Sequence, residues 1–200
     1  MNQLVSYLIA HTSELPPPTS SSMFDYILTR NGLFIRAKRQ GFQVTAQLSR
    51  CHICGLTPLT SQFQFDYPKV PASLLQEMLT LSRNATPQEI LFHLYWNQQQ
   101  WCLDVPLQSA SPTQVQRQES GFDSTYRHAL IEVHSHHSMG AYFSPEDDRD
   151  ESGLRIFGVL GTIFSQPTFR LRVGIYHQLF WEIPYRWVFE SDYSIMDGVN

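Results

Sequence analysis

Residues 134–148 read HSHHSMGAYFSPEDD and directly follow the mostly apolar run ALIEV at 129–133. This run predicts a buried β-strand, and side chains two residues apart in a strand lie on the same face. His134 and His136 are therefore expected side by side at the exposed end of that strand. Two imidazoles in this arrangement can bind one metal ion. Asp147, eleven residues after His136, is far enough along the chain to return as a third ligand.

The composition of the whole chain predicts a folded protein and disfavours several functions. Its 200 residues are 42% hydrophobic, which suffices for a packed core. A net charge of −4 without a basic patch disfavours nucleic-acid binding, and no apolar run is long enough to cross a membrane. The start of the chain lacks the pattern of a signal peptide, and the three cysteines fit a reducing compartment. We therefore expect a cytoplasmic protein that binds neither nucleic acid nor membranes.

The pattern along the chain predicts two domains separated by a linker, DYPKVP, at 66–71. Residues 1–68 are expected to form a small β-rich module of unknown role, in which Asn31-Gly32 predicts a type I′ hairpin turn. Residues 69–200 are expected to form an α/β (α+β) domain with a mixed sheet. In that domain, leucines and a methionine at helical spacing predict a helix with Ser73 as its N-cap. Asn84 to Pro87 are expected to end it.

The histidine segment resembles the core motif of the JAMM (MPN+) zinc metallopeptidases. The match consists of H-x-H, seven residues, serine, two residues and aspartate, and the resemblance covers roughly residues 70–190. It implies a JAMM/MPN-type, cytidine-deaminase-like fold with a mixed sheet and flanking helices. The longer stretch HSHHSMGAYFSPEDDRDE is similar to the subgroup called PRTRC system protein A, which belongs to bacterial gene clusters with ubiquitin-conjugation-like components.

Carried over to this chain, the resemblance implies a Zn²⁺-dependent peptidase or isopeptidase. His134, His136 and Asp147 would hold the zinc ion. Glu89, expected to open the strand after the helix, would act as general acid/base, and Ser144 would donate to the oxyanion of the tetrahedral intermediate. The implied substrate is the tail of a ubiquitin-like or sulfur-carrier-like protein, as a precursor or as a lysine conjugate. Ubiquitin-activating-like and ubiquitin-conjugating-like proteins are the further partners.

Two alternatives to this enzyme remain open from the sequence. One is a non-catalytic MPN-type scaffold that assembles a ubiquitin-like conjugation complex, and the other is an amidase acting on free amino acids or small molecules. Stoichiometric zinc separates the scaffold from the enzyme, because a scaffold does not need the ion.

Three further features have competing interpretations. His137 stands where many family members have proline, and it is expected to face away from the histidine pair. Glu132 shares a strand face with His134 and is a rival for the general base, although an ion pair is the favoured interpretation. The stretch CHIC at 51–54 is half of a zinc knuckle or a redox pair. Because no second CxxC follows, structural or incidental cysteines are favoured.

Overall fold

The computed structural model describes residues 4–18, 22–110, 115–117 and 125–199. The chain divides into two compact units, residues 1–67 and 68–200. The first unit contains the strands β1 (Val5–Ile9), β2 (Phe24–Thr29), β3 (Gly32–Arg39), β4 (Phe42–Arg50) and β5 (Gln62–Phe65). The predicted division into a module at 1–68 and a domain at 69–200 stays a prediction.

The second unit contains both α-helices of the described residues. Its elements are α1 (Ala72–Ala85), β6 (Leu91–Asn97), β7 (Gln100–Asp104), β8 (Gln108–Ala110), β9 (Val115–Arg117), β10 (Ile131–His136), α2 (Pro145–Asp150), β11 (Leu154–Gly161), β12 (Thr168–Ile175), β13 (Leu179–Ile183) and β14 (Met196–Asp197). Short 3₁₀ helices lie at Thr125–Arg127 and Tyr185–Trp187. No helix of the described residues is long and apolar enough to cross a membrane.

The first unit is a five-stranded sheet in the order β1-β2-β3-β4-β5. Strand β1 pairs with β2 in parallel, and the other neighbours are antiparallel. Ala10, Ile27 and Phe34 form a buried apolar cluster. Asp25 is also buried, and its carboxylate accepts hydrogen bonds from the guanidinium of Arg36 at 2.6 and 2.9 Å.

The predicted hairpin between β2 and β3 is present, but the predicted turn type is wrong. Gly32 opens β3, so the turn consists of Arg30 and Asn31, and neither residue has a positive φ. The side-chain amide of Asn31 instead accepts from Leu59 N and donates to Leu59 O. A long-range contact therefore determines the conformation of Asn31. Gly32 is required because a Cβ there would lie 2.1 Å from the carbonyl oxygen of Ser49.

The larger sheet of the second unit has the order β13-β12-β11-β10-β6-β7, with β14 beside β12. Strand β10 is parallel to β11 and antiparallel to β6, and β12 is antiparallel to both β11 and β13. Strands β8 and β9 form a separate pair. The mixed sheets and few helices confirm the predicted α+β class.

Helix α1 confirms the predicted helix, whereas the prediction that Ser73 is its N-cap was wrong. The helix begins at Ala72 after Pro71, so Ser73 lies inside it, and Pro71 makes no side-chain capping bond. The amide of Ala72 donates to Glu190 Oε2 at 3.1 Å, so a distant side chain supplies the acceptor at this end. The helix ends at Ala85, within the predicted range.

Strand β10 gives the central part of the sheet two chemically different faces. Ile131, Val133 and Ser135 lie on one face, and Glu132, His134 and His136 lie on the other, because successive side chains alternate. The strand register extends the second face to polar residues of neighbouring strands: His93, Arg155, Arg170 and Arg172. Polar side chains of four strands therefore share the face that carries the histidines.

Candidate metal centre

Three side chains converge at the end of β10. His134 Nε2 lies 3.1 Å from His136 Nε2 and 3.6 Å from Asp147 Oδ1. Both histidines are buried, and Asp147 is half-buried. Among the described residues, this is the one group of three histidine, cysteine or acidic side chains whose ligand atoms all lie within 4.8 Å of one another.

His136 is oriented by a backbone carbonyl. Its Nδ1 lies 3.2 Å from Gly140 O, and because a carbonyl only accepts, Nδ1 carries the hydrogen. In the neutral ring, the lone pair of Nε2 then faces His134. Burial lowers the pKa of His134 to about 4 and also lowers the pKa of His136. Both rings are therefore neutral at pH 7, and the neutral imidazole is the form that binds metals.

Asp147 is held by the capping box at the start of α2. The amide of Ser144, the N-cap residue, donates to Asp147 Oδ2 at 2.6 Å, and the amide of Asp147 donates to Ser144 Oγ at 3.2 Å. The cap therefore uses Oδ2 and leaves Oδ1 facing His134. Since Ser144 Oγ accepts in this bond, its hydroxyl hydrogen is not used by the cap.

Glu89 lies close to His136, although it precedes the strand that it was expected to open. Strand β6 begins two residues later, at Leu91. Between them, Ile90 N donates to Ser135 Oγ, and Ser135 N donates to Ile90 O, both at 3.1 Å. Buried Ser135 thus joins β10 to the segment before β6 and fixes the backbone next to Glu89.

The carboxyl group of Glu89 is buried and lacks a partner on one oxygen. The residue is 3% exposed, Oε1 accepts no hydrogen bond from the part of the chain that the structure describes, and this atom lies 3.9 Å from His136 Nε2. Burial, together with the nearby charge of Asp147, raises the pKa of Glu89 to about 7. Buried oxygens without hydrogen-bond partners are rare in folded proteins, so this carboxyl group is a candidate catalytic group.

The carboxyl group of Glu132 already has two side-chain partners. Its Oε2 accepts from Arg155 Nη1 at 3.1 Å and lies 3.3 Å from His93 Nε2. The ion pair agrees with the favoured interpretation and leaves Glu89 as the carboxyl group beside His136. Sequence reasoning missed His93 because its proximity to Glu132 depends on the register between β6 and β10.

The other histidine and cysteine candidates lie outside the cluster. His137 is buried in a left-handed backbone conformation with φ 32°, and it does not belong to the metal-ligand group. Cys51 and Cys54 are exposed free thiols. Within the described residues, they form no group with a third ligand-type side chain.

The three residues fit a zinc ion by their chemistry and by two of their three spacings. Imidazole nitrogen and carboxylate oxygen are common zinc ligands. In a tetrahedral site with bonds of about 2.0–2.1 Å, ligand atoms lie about 3.3–3.4 Å apart. The 3.1 Å between the two histidine nitrogens and the 3.6 Å from His134 to Asp147 Oδ1 lie on either side of this value. The ligand atoms of all three residues lie within 4.8 Å, so Asp147 and His136 would move closer together around a bound ion.

Residues 71–174 match the protein family described as prokaryotic homologs of the JAB domain. The match covers just over half of the chain, which belongs to this family. This confirms the resemblance to the JAMM/MPN family, whereas the resemblance to PRTRC system protein A stays a prediction. Comparison with curated proteins gives no match.

Proposed function

We propose that this protein is a zinc-dependent peptidase or isopeptidase of the JAMM type. The observation that carries the proposal is the convergence of His134, His136 and Asp147 beside the buried carboxyl group of Glu89. The histidines and Asp147 would hold the metal. A zinc ion supplies a Lewis acid for the carbonyl group and lowers the pKa of a water molecule bound to it from about 15.7 to about 7.

Glu89 would move the proton in this reaction. Its carboxylate, beside His136, would accept a proton from the attacking water and then transfer it to the departing amine. Ser144 would donate its free hydroxyl hydrogen to the oxygen that becomes negative in the transition state. Ser135 and the capping box would hold these two groups in place.

The substrate class is proposed from family membership. It is the flexible tail of a ubiquitin-like or sulfur-carrier-like protein, either as a precursor or joined to a lysine, with activating-like and conjugating-like proteins as further partners. Only three residues, 151–153, connect α2 to β11. Because this connection holds no room for a second ubiquitin-binding element, cleavage between two linked ubiquitins is not part of the proposal.

Metal content is the first test. Elemental analysis of the purified protein is expected to give about one zinc ion per chain, and His134→Ala and Asp147→Ala are expected to lose it while remaining folded. Glu89→Gln should keep zinc but lose hydrolysis of a ubiquitin-like tail by about 10²–10⁴-fold, the usual value of general acid–base catalysis. This variant separates metal binding from chemistry.

The outcomes distinguish the enzyme from the scaffold. If the wild-type protein holds no zinc after reconstitution at neutral pH, the hydrolase proposal is wrong and the MPN-type scaffold takes its place. If it binds zinc but Glu89→Gln hydrolyses the tail as fast as wild type, the role proposed for Glu89 is wrong.

A further inference from the structure

The helix that carries Asp147 is not held by apolar packing. Helix α2 has six residues, and none of them is buried. Helices this short are marginal in water and depend on contacts with the rest of the protein. Asp147 would therefore need some other contact to stay beside His134.

Arg172 makes that contact from β12. Its Nη1 donates to Asp148 Oδ1 at 2.6 Å, and its Nε donates to Glu151 Oε2 at 2.7 Å. The guanidinium also lies over the ring of Phe143, with Cζ 3.9 Å from the ring centroid. Phe143 precedes the N-cap, Asp148 is on the helix, and Glu151 is the C-cap. One side chain thus contacts the segment before, within and after α2.

Arg172 is itself firmly fixed on the sheet. It is 5% exposed, and the ring of Phe180 lies on it with a centroid 4.0 Å from Cζ. A buried guanidinium is stable only when charged partners and hydrogen bonds offset its desolvation. Its planar shape also suits simultaneous contact with carboxylates and aromatic rings. The sheet and α2 are therefore connected through a rigid, well-defined group.

We propose that Arg172 is a positioning residue for the metal centre: by holding α2 against β12, it keeps Asp147 Oδ1 at His134. This inference rests on the proposed function, because its consequence is a change in zinc affinity. Among the described residues, Arg172 forms no hydrogen bond or ion pair with the three proposed ligands, although its positive charge lowers the pKa of His134. Its positioning effect passes through the backbone of α2, where Glu151 N donates to Asp147 O. Arg172→Lys keeps the charge and therefore separates the two effects.

Substitution of Arg172 tests this inference more directly than substitution of Asp148 or Glu151. Burial raises the pKa of Glu151 well above its ordinary value, and the guanidinium of Arg172 offsets only part of this rise, so the charge of Glu151 depends on pH. Asp148 is 54% exposed at its side chain and contributes less than a buried partner. Arginine, in contrast, is always charged.

The first measurement is hydrogen exchange of the metal-free full-length protein. In Arg172→Met, the amides of residues 144–151 are expected to exchange at least tenfold faster than in wild type, because the helix loses its contact with the sheet. Arg172→Lys keeps a charge but loses the planar multi-point contact, so an intermediate effect is expected. Arg36→Met is the matched control, since it removes a half-buried arginine from its ion pair with buried Asp25 in the other unit.

The second measurement is zinc affinity, by competition with a chromophoric chelator under conditions where every variant is folded. Residues that orient metal ligands typically change metal affinity by about 10–100-fold. We expect a loss in this range for Arg172→Met, a smaller loss for Arg172→Lys and no change for Arg36→Met. A purely structural role would lower the free energy of unfolding and leave zinc affinity unchanged.

The two measurements separate the possible failures. A wild-type protein that binds no zinc overturns the proposed function. Unchanged exchange of residues 144–151 in both Arg172 variants overturns the inference whether or not zinc binds. Faster exchange with wild-type zinc affinity also overturns it, since α2 would then be held by Arg172 without any effect on the metal centre.

Discussion

Two glutamates near the histidines have opposite surroundings, and the proposed function gives them different roles. Glu132 forms an ion pair with Arg155, so its charge is stabilised. Glu89 is buried with one unpartnered oxygen, so its charged form is disfavoured. Here the environment favours Glu89 for proton transfer and Glu132 for structure.

The raised pKa of Glu89 predicts how the stability of the metal-free protein depends on pH. Below pH 4.5 the carboxyl group is protonated in both the folded and unfolded states, so its burial does not lower the free energy of unfolding. Between pH 4.5 and about 7 the unfolded state loses the proton while the folded state keeps it, so this group lowers stability as pH rises. Above about pH 7 the full penalty is present. Glu89→Gln removes it and should therefore stabilise the protein more at pH 8 than at pH 5.

Urea unfolding in the presence of a chelator, at pH 5 and pH 8, measures this difference. The gain of Glu89→Gln over wild type should grow with pH at no more than about 1.4 kcal/mol per unit, the limit for one proton. Glu77→Gln is the control, because Glu77 is exposed on α1 in the same unit. A gain that is equal at both pH values would show that Glu89 is not buried as described.

At the scale of elements, the loop after β10 rests on the end of β11. Thr162 N donates to Met139 O at 2.7 Å, and Ile163 N donates to His137 O at 2.8 Å. A Cβ at Gly161 would lie 2.1 Å from the amide nitrogen of Ala141. The absence of a side chain at position 161 thus allows two backbones to approach each other. The same loop supplies the carbonyl group that orients His136.

Gly161→Ala is expected to destabilise the protein by about 1–3 kcal/mol, the usual cost of inserting atoms into a packed interior. Because backbone atoms must move, Gly140 O should shift away from His136, and zinc affinity should fall as well. Chemical unfolding and zinc competition measure the two effects. Gly140→Ala is the control from the same loop, since a Cβ there meets nothing within 4 Å and should be tolerated. Equal behaviour of the two variants would contradict this account of the close approach.

Local patterns predicted the elements around the metal centre, whereas the contacts between elements could not be predicted. Strand alternation was sufficient to expect His134 beside His136, because both residues belong to one strand. The position of Arg172 depends on how β12 aligns with α2, and the capping of Ala72 by Glu190 joins residues 118 positions apart. Neither of these contacts produces a periodic pattern in the amino-acid sequence. The turn at Asn31 was mispredicted for the same reason, since Leu59 determines its conformation.

At the scale of the whole molecule, the candidate metal centre belongs to one unit. Glu89, both histidines, Ser144 and Asp147 all lie within residues 68–200, as does Arg172. The four tryptophans of the chain, at positions 96, 101, 181 and 187, also lie in this unit. Tryptophan fluorescence therefore reports the unfolding of the unit that would bind zinc, without a contribution from residues 1–67.

Zinc is expected to stabilise this unit by mass action, because the three ligands come together only in the folded state. At a free concentration of one hundred times Kd, zinc should add about 2.7 kcal/mol to its free energy of unfolding. Urea unfolding followed by tryptophan fluorescence, with zinc or with a chelator, measures the change. Asp147→Ala should show less than a tenth of this gain at the same zinc concentration, because the third ligand is gone. If zinc leaves the wild-type unfolding transition unchanged, zinc binds the folded site no more tightly than it binds the unfolded chain. An equal shift in Asp147→Ala would place the binding elsewhere in the unit.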